Sequence, residues 1–486
     1  MQRRLKNSMG TLERRLENFG AEKIFIAVFL IFGVMILFMR PPYRLMDEPV
    51  HFARAWQISE GIFLSPLKIQ GVEKNFGWKN CSPDAATEKL YSASVPASLV
   101  PDKFIFDVQA DSTRVKVSID ELKKFLSTPL NVDEREEGLI PNTGVYPPPT
   151  YLPQAIAAFF GRALNLNAGI IFYLMGLSGL IFVGACVYWS MKFLPEAKPL
   201  IFLLAMMPMF LVEAASTSAD AVTFGVCFLG TAWLLSLKNS TEKFSHAEIF
   251  GLMILSIMLA CSKSVYGTIL LLYFLIPRER VGSLKKFLSL GAAILALNLL
   301  TSLIWTWLAV GMTGVELATI KQYLGVENVD AAAQKIFIAE HPAEFFAAII
   351  HSLDTGKFYY LFGFMGTWGA NGELFLSPIF YTLYGLTLIF FALTNGLNLK
   401  LNERGLLIFA AAISTFAFFF VHYLKWTPIG ADYVKGVQGR YFIPIAPMIF
   451  GALSILPTMR HKNLIALTAG IFSGIATLST NFYAFY

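Results

Sequence analysis

The chain has 486 residues, 55% of them hydrophobic and 14% aromatic, with only 15% charged and a mean hydropathy of +0.57. Soluble globular domains carry about 25% charged residues, so this composition excludes a soluble enzyme and describes a polytopic membrane protein. The net charge of +6, from 39 basic and 33 acidic residues, is read as basic cytoplasmic turns and not as a nucleic-acid footprint.

Residues 1–22 interleave Arg3, Arg4, Lys6, Arg14 and Arg15 with Leu5, Leu12, Leu16 and Phe19. That is the pattern of an amphipathic cytoplasmic tail on anionic lipid, or of a solvated tail. Its charge places the N-terminus inside. The apolar run that follows predicts a first transmembrane helix over 23–39. Charge and proline come after it instead of a small-residue cleavage site, so it is read as a permanent anchor. Arg40, Pro41 and Pro42 end it, and Asp47, Glu48, Pro49 and His51 follow. A helix starting at Pro49 has its proline where a missing N–H costs nothing. Asp47 or Glu48 is then its N-cap, and Phe52 and Trp56 share one face.

Residues 40–166 read as a large extracytoplasmic loop with interfacial helices. After the opening helix comes an irregular middle, then the exit motif NTGVYPPPTYLPQ, whose triple proline enforces an extended segment between Tyr146 and Tyr151. The run 152–160 is too short to span and predicts a partial or re-entrant helix. Cys81 is alone in this loop, so no disulfide framework is expected, and no Cys/His cluster has zinc spacing.

Further apolar runs fall at about 167–191, 198–213, 221–237, 247–261, 265–277, 286–309, 376–394, 404–424, 441–457 and 463–484. With the first helix they make eleven predicted spans, several of them short. They divide into a bundle over 167–309, a second extracytoplasmic loop over 310–375, and C-terminal spans over 376–486. The second loop holds an amphipathic stretch at 342–368 that could dip into the bilayer as half-helices. Alternate threading puts Lys192 and Lys198, Lys238 and Lys243, Arg278 to Lys286, Lys400 and Arg404, and Arg460 and Lys462 inside. Every inner turn is then basic. The fold class is all-α and polytopic.

The same threading collects polar residues on the outer face. Asp47 and Glu48 follow the first helix, and Asp220 ends EAASTSAD. Lys263 and Tyr266 lie in KSVYG, and Trp368 lies in the second loop with Gln334 and His341. His422, Trp426, Asp432, Gln438 and Arg440 lie in or beside the last outer loop. Ionisable groups at helix ends are costly unless they face a cavity or a partner, so acids and bases from four turns point to a shared site. Bland alternatives stand beside this reading. Lys263 and Arg440 would snorkel, Asp47 and Asp220 would cap helices, His422 would be a satisfied interfacial residue, and Trp368 and Trp426 would belong to the aromatic belt. Gly436 and Gly439 around Gln438 bring the Arg440 fork close to a ligand, a geometry that suits phosphate.

Five motifs occur here in one order: DEPVHFARAWQISEG, PMFLVEAASTSAD, KSVYG, AAAQKIFIAEHP and GVQGRYFIP. Together they resemble a bacterial polytopic family catalogued mostly as a domain of unknown function and grouped with the GT-C glycosyltransferases. The likeness runs from about residue 41 to 444. The opening DE-x-x-HF is also similar to the first-loop motif of protein O-mannosyltransferases. A DE pair in lipid A aminoarabinose transferases is similarly placed. Phage-encoded serotype-converting O-antigen glucosyltransferases are a looser likeness in size and build.

The resemblance implies a GT-C-like fold and an inverting glycosyltransferase. Such an enzyme would move a sugar, glucose being one candidate, from a polyprenyl-phosphate donor to a cell-surface glycan such as O-antigen. It would act on the extracytoplasmic face of the bacterial inner membrane. The first-loop acid is the general base in such families, a role that falls to Asp47, with Glu48 or His51 as orienter. Our own reading of the residues adds a donor-phosphate site of Arg440, Lys263, Gln438 and Tyr266, with Asp220, His422 and Trp368 as further cavity candidates. The expected partners are the lipid donor, the glycan acceptor and the bilayer. No cofactor is expected, and no metal either, since the DxD motif of oligosaccharyltransferases is absent. A flippase or transporter of lipid-linked sugars, or a glycan polymerase or ligase, are the alternatives. The sequence shows no convincing internal repeat for the first, and the second would be expected to carry more basic residues in its outer loops.

Overall fold

The computed structural model describes residues 11–14, 17–67, 90–100, 116–312, 328–369, 372 and 374–486. Between Gly20 and Pro41 nothing interrupts helix formation, and helix α1 (Ala21–Met39) occupies that stretch. Its buried Phe25, Phe29, Gly33 and Ile36 recur at helical spacing, while Ile31, Met35 and Phe38 remain exposed on the opposite face. Phe25 stacks on Phe202 with ring centroids 4.3 Å apart. A turn over 40–47 leads into α2 (Glu48–Ser59), which carries Pro49 in its first turn. Contrary to the expectation of a surface helix, every residue of α2 is buried.

The described part of the first loop is more regular than its composition suggests. Strand β1 (Ser92–Pro96) pairs antiparallel with β2 (Arg135–Leu139), Ser92 opposite Leu139 and Pro96 opposite Arg135. Between them in sequence lies α3 (Ile119–Ser127), started by a capping box of Ser118 and Glu121. The sequence reading missed both strands, because five-residue strands carry too little alternation to stand out. The exit motif is extended only at Pro147, and in place of the extended segment expected Pro148–Tyr151 forms a 3₁₀ turn; it runs into α4 (Leu152–Ala163), the short helix expected there, with Leu152, Ile156, Phe159 and Phe160 exposed.

The rest is helical apart from one two-residue antiparallel pair, Thr367–Trp368 with Leu374–Phe375. In order come α5 (Ala168–Phe193), α6 (Lys198–Ala205), α7 (Pro208–Ala214), α8 (Ala219–Leu237) and α9 (His246–Cys261). A 3₁₀ segment, Ser264–Leu275, precedes α10 (Leu284–Thr306). Then follow α11 (Ala331–Glu340), α12 (Pro342–Thr355), α13 (Lys357–Met365), α14 (Pro378–Leu393) and α15 (Leu401–Trp426). A second 3₁₀ segment, Gly439–Ile445, leads to α16 (Ala446–Ala452) and α17 (Lys462–Phe485).

Among the described residues, six helices are long and apolar enough to cross a membrane: α1, α5, α8, α10 with its π turn to Gly311, α15 and α17. The number rises to eight if two bent pairs count as spans, α6–α7 with an 80° bend and α11–α12 with a 107° bend. The fold is therefore a mostly helical polytopic membrane protein, consistent with the all-α class expected, with two small antiparallel strand pairs added. Of the other predicted runs, 247–261 and 376–394 form single helices of 16 residues, whereas Pro208 and the 3₁₀ segments interrupt 198–213, 265–277 and 441–457, which hydropathy alone reads as continuous. Helix α8 is the axis, with 83% of its span buried, against 22% for α10. Basic turns assigned to one side in sequence gather at one end of the bundle. There Lys198 pairs with Glu22 at 2.6 Å, Lys238 with Glu403 at 2.8 Å and Arg280 with Glu248 at 2.7 Å.

Candidate functional site

At the opposite ends of α1 and α8 the chain brings its other charged turns together. Asp47 sits at the N-cap position of α2, but its φ of 62° and ψ of 1° are left-handed and its side chain makes no capping bond. An L-residue holds such a backbone at a cost on the order of 1 kcal/mol, and such conformations cluster at functional sites. The carboxylate is turned instead toward Asn142, whose amide donates to Oδ1 at 3.1 Å, and toward Arg440, whose Nη2 lies 3.3 Å from Oδ2. Asp47 is therefore not the helix cap that local sequence offers as its plain role.

Asp220 is released from capping in the same way. Ser218 caps α8, its hydroxyl accepting from the Asp220 backbone N–H at 3.1 Å. The Asp220 carboxylate is free to take Lys263 at 2.9 Å and to lie 3.5 Å from Arg440 Nε. Glu213, at the end of α7, accepts from Arg440 Nη1 at 2.7 Å. One guanidinium thus faces three carboxylates from three elements, and Lys263 shares one of them. Lys263 also lies 4.1 Å above the Tyr441 ring, a cation–π contact. Within this cluster the side chains of Glu213, Asp220 and Arg440 are 0%, 5% and 6% exposed, whereas Asp47 and Lys263 are 14% and 23% exposed. Incoming groups therefore meet Asp47 and Lys263 first.

The backbone around Arg440 is set by two glycines with different jobs. Gly436 has φ +88°, which favours glycine. At Gly439 a Cβ would run into the Tyr360 carbonyl oxygen and the backbone nitrogen of Phe364. Only glycine lets α13 lie directly against the segment that carries Arg440. Tyr266 supports that segment from the other side, its hydroxyl donating to the Tyr441 carbonyl at 3.1 Å.

Of the ten side chains singled out in sequence, Asp47, Asp220, Lys263 and Arg440 converge. Gln438 reaches the turn beside them, with Nε2 3.5 Å from Met46 Sδ. Tyr266 is buried as a support for Tyr441. Glu48 points away from Asp47. It forms a two-pronged pair with Arg40, at 2.5 and 2.8 Å, and both side chains are buried. Glu48 therefore does not orient Asp47; Asn142 and Arg440 do. His51 makes its bond to the Tyr151 hydroxyl, 2.6 Å from Nδ1, and not to Asp47. Burial pushes the His51 imidazole down to about 4, against the pull of Asp47 and Asp220, so it is neutral at physiological pH. His422 is satisfied within its own helix, with Nδ1 2.8 Å from the Phe418 carbonyl. Trp368 is buried and donates to Asn481 at 3.1 Å. In the second loop, Gln334 accepts from the Gly430 N–H at 3.0 Å, and His341 pairs with exposed Glu344. Cys81 and the tail residues Arg3, Arg4 and Lys6 lie outside the described residues.

Sequence reasoning passed over three members of the cluster: Glu213, Asn142 and Tyr441. Glu213 carried a signal, as the one acid in the run 198–213, where an unpaired charge is expensive. Asn142 opens the exit motif and Tyr441 follows Arg440, but nothing local says that they face Asp47 and Lys263.

No curated protein and no solved structure matches this chain. A family model described as a predicted membrane protein, DUF2142, matches residues 30–449, which include all five motifs and every member of the charged cluster. The chain belongs to the DUF2142 family of membrane proteins.

Proposed function

We propose that this chain is an inverting glycosyltransferase of the GT-C type. It moves a sugar, glucose being one candidate, from a polyprenyl-phosphate donor to a cell-surface glycan such as O-antigen. The reaction takes place on the extracytoplasmic face of the bacterial inner membrane. The observation that carries this reading is Asp47, an accessible carboxylate held out of its capping role beside a buried guanidinium. In the proposed step the Asp47 carboxylate takes the proton of an acceptor hydroxyl. The hydroxyl oxygen bonds to the anomeric carbon, and the bond from that carbon to the phosphate oxygen breaks. The polyprenyl phosphate leaves with the electron pair. Arg440 and Lys263 stabilise the charge on the departing phosphate in a site with little water. The flank of α13 beside the Gly439 segment exposes Phe358, Tyr359 and Leu361, a surface on which a prenyl tail can lie. The eleven-span count and the GT-C arrangement belong to this proposal.

The test is transfer from a synthetic prenyl-phosphate sugar by the purified Asp47→Asn protein in detergent. Turnover should fall by about 10²–10⁴-fold, the usual share of a general base, with donor binding retained. Normal turnover would remove Asp47 from the role. A second reading, a flippase for lipid-linked sugars, is favoured by the 80° break between α6 and α7, the short helix that carries Glu213 at its far end, since transporters build sites near broken helices. Scrambling of a labelled lipid sugar in proteoliposomes with no transfer product would select it.

A further inference from the structure

The cluster holds more acid than base. Asp47, Glu213 and Asp220 face only Arg440 and Lys263. The neighbouring Arg40 and Glu48 cancel each other in their own two-pronged pair, and His51, bonded to Tyr151, adds no charge. With all three carboxylates ionised the site carries one unbalanced negative charge, a costly state away from water. A phosphodiester arriving at Arg440 adds a second.

The three acids are not equally able to give way. Asp220 keeps Lys263 at 2.9 Å whatever happens at Arg440. Asp47 is the most accessible of the three and needs its charge to act as base. Glu213 is wholly buried, spends Oε1 on Arg440, and has its other oxygen, Oε2, buried without a hydrogen-bond partner. A carboxylate oxygen with no protein donor in such a place is costly to keep charged. It is also where a proton can sit without disturbing another contact. A protonated Glu213 frees Arg440 Nη1 for a phosphate oxygen and offers that phosphate an O–H donor of its own.

We infer that Glu213 takes up one proton from solvent when a phosphodiester binds at Arg440, so that the loaded site contains a neutral carboxylic acid at Glu213. This deepens the proposed function and rests on its assignment of Arg440 and Lys263 to the donor phosphate. It gives Glu213 the part of an internal counter-ion that occupies the guanidinium until the lipid phosphate displaces it.

The experiment is isothermal titration of the purified full-length protein in detergent with farnesyl-phosphoryl-glucose. That ligand is a phosphodiester whose single charge does not change across the working pH range. Repeating the titration in buffers of different ionisation enthalpy counts the protons exchanged. The expected result near pH 8 is uptake of about one proton per ligand bound by the wild type, and none by Glu213→Gln with binding retained. Binding by the wild type with no proton uptake overturns the inference and leaves the phosphate site standing. Unchanged uptake in Glu213→Gln overturns the assignment to that residue. Absence of any binding by the wild type overturns the phosphate reading itself. The wild-type proton count decides the main point even if the variant fails to fold.

Discussion

Replacing Glu48 by glutamine should destabilise this protein more than it slows any chemistry. The Glu48 carboxylate accepts two bonds from Arg40, at 2.5 and 2.8 Å, and the side chains are 0% and 1% exposed. Arg40 also donates to the Ala215 carbonyl at 3.1 Å, so the pair ties the end of α1 to the start of α2 and the end of α7. Breaking a buried pair from one side costs about 3–5 kcal/mol. The glutamine oxygen can still accept one bond, worth about 1 kcal/mol, which leaves an expected loss of roughly 2–4 kcal/mol. Replacing both partners by apolar residues, Arg40→Met with Glu48→Leu, should recover most of that loss, because no charge is left stranded. The assay is unfolding in mixed micelles by denaturant titration, alongside transfer per folded molecule. Wild-type stability in Glu48→Gln, together with a loss of transfer of 10²-fold or more, would refute the reasoning and return Glu48 to the chemistry.

Arg440→Lys should lower turnover by about 10-fold or more while the protein stays folded, since an ammonium cannot serve Glu213, Asp47 and a phosphate in one plane; transfer kinetics at saturating donor check this. Gly439→Ala should weaken folding, because its methyl group meets backbone atoms of α13 that cannot move aside singly; the melting midpoint in detergent reads the effect. His51 makes a prediction about pH. Its folded pKa, lowered from 6.5 to about 4, means that the unfolded chain binds the extra proton in that window. Its contribution is therefore complete above the unfolded value and is lost as pH falls from 6.5 toward 4, a total of roughly 3 kcal/mol. His51→Gln should flatten that part of the stability–pH curve, and an unchanged slope would show that other groups set it.

The sequence announces what is set by composition and by chain-local rules. The apolar runs, the short helix after the triple proline and the helix through Pro49 were all visible, because hydrophobic length and proline placement act within a few residues. The meeting of Asp47, Asp220, Lys263 and Arg440 could be inferred from threading alone, since like ends of alternating helices share a face. What stayed hidden was partner choice. Adjacent Asp47 and Glu48 look equivalent in sequence, yet one faces Arg440 and the other Arg40. The left-handed turn at Asp47 that separates them is decided by contacts with residues about a hundred and four hundred positions away. Glu213 was hidden for the same reason: its meaning depends on Arg440, 227 positions away.

The 3₁₀ segment Ser264–Leu275 changes how distance across the bilayer is counted. A 3₁₀ helix rises about 2.0 Å per residue, so its 12 residues reach about 24 Å, where an α-helix of that length reaches about 18 Å. A run that looks too short on a hydropathy plot therefore still carries the chain from Lys263 at the charged cluster most of the way to the arginines at 278 and 280. With three residues per turn its side chains stack in columns. Tyr266, Ile269 and Leu272 form one buried column and Gly267, Leu270 and Tyr273 another, while Val265, Thr268, Leu271 and Phe274 make up the less buried third. Deleting one residue here turns everything beyond it by a third of a revolution and drives a buried column outward, a more severe register error than the same deletion in most of the α-helices around it.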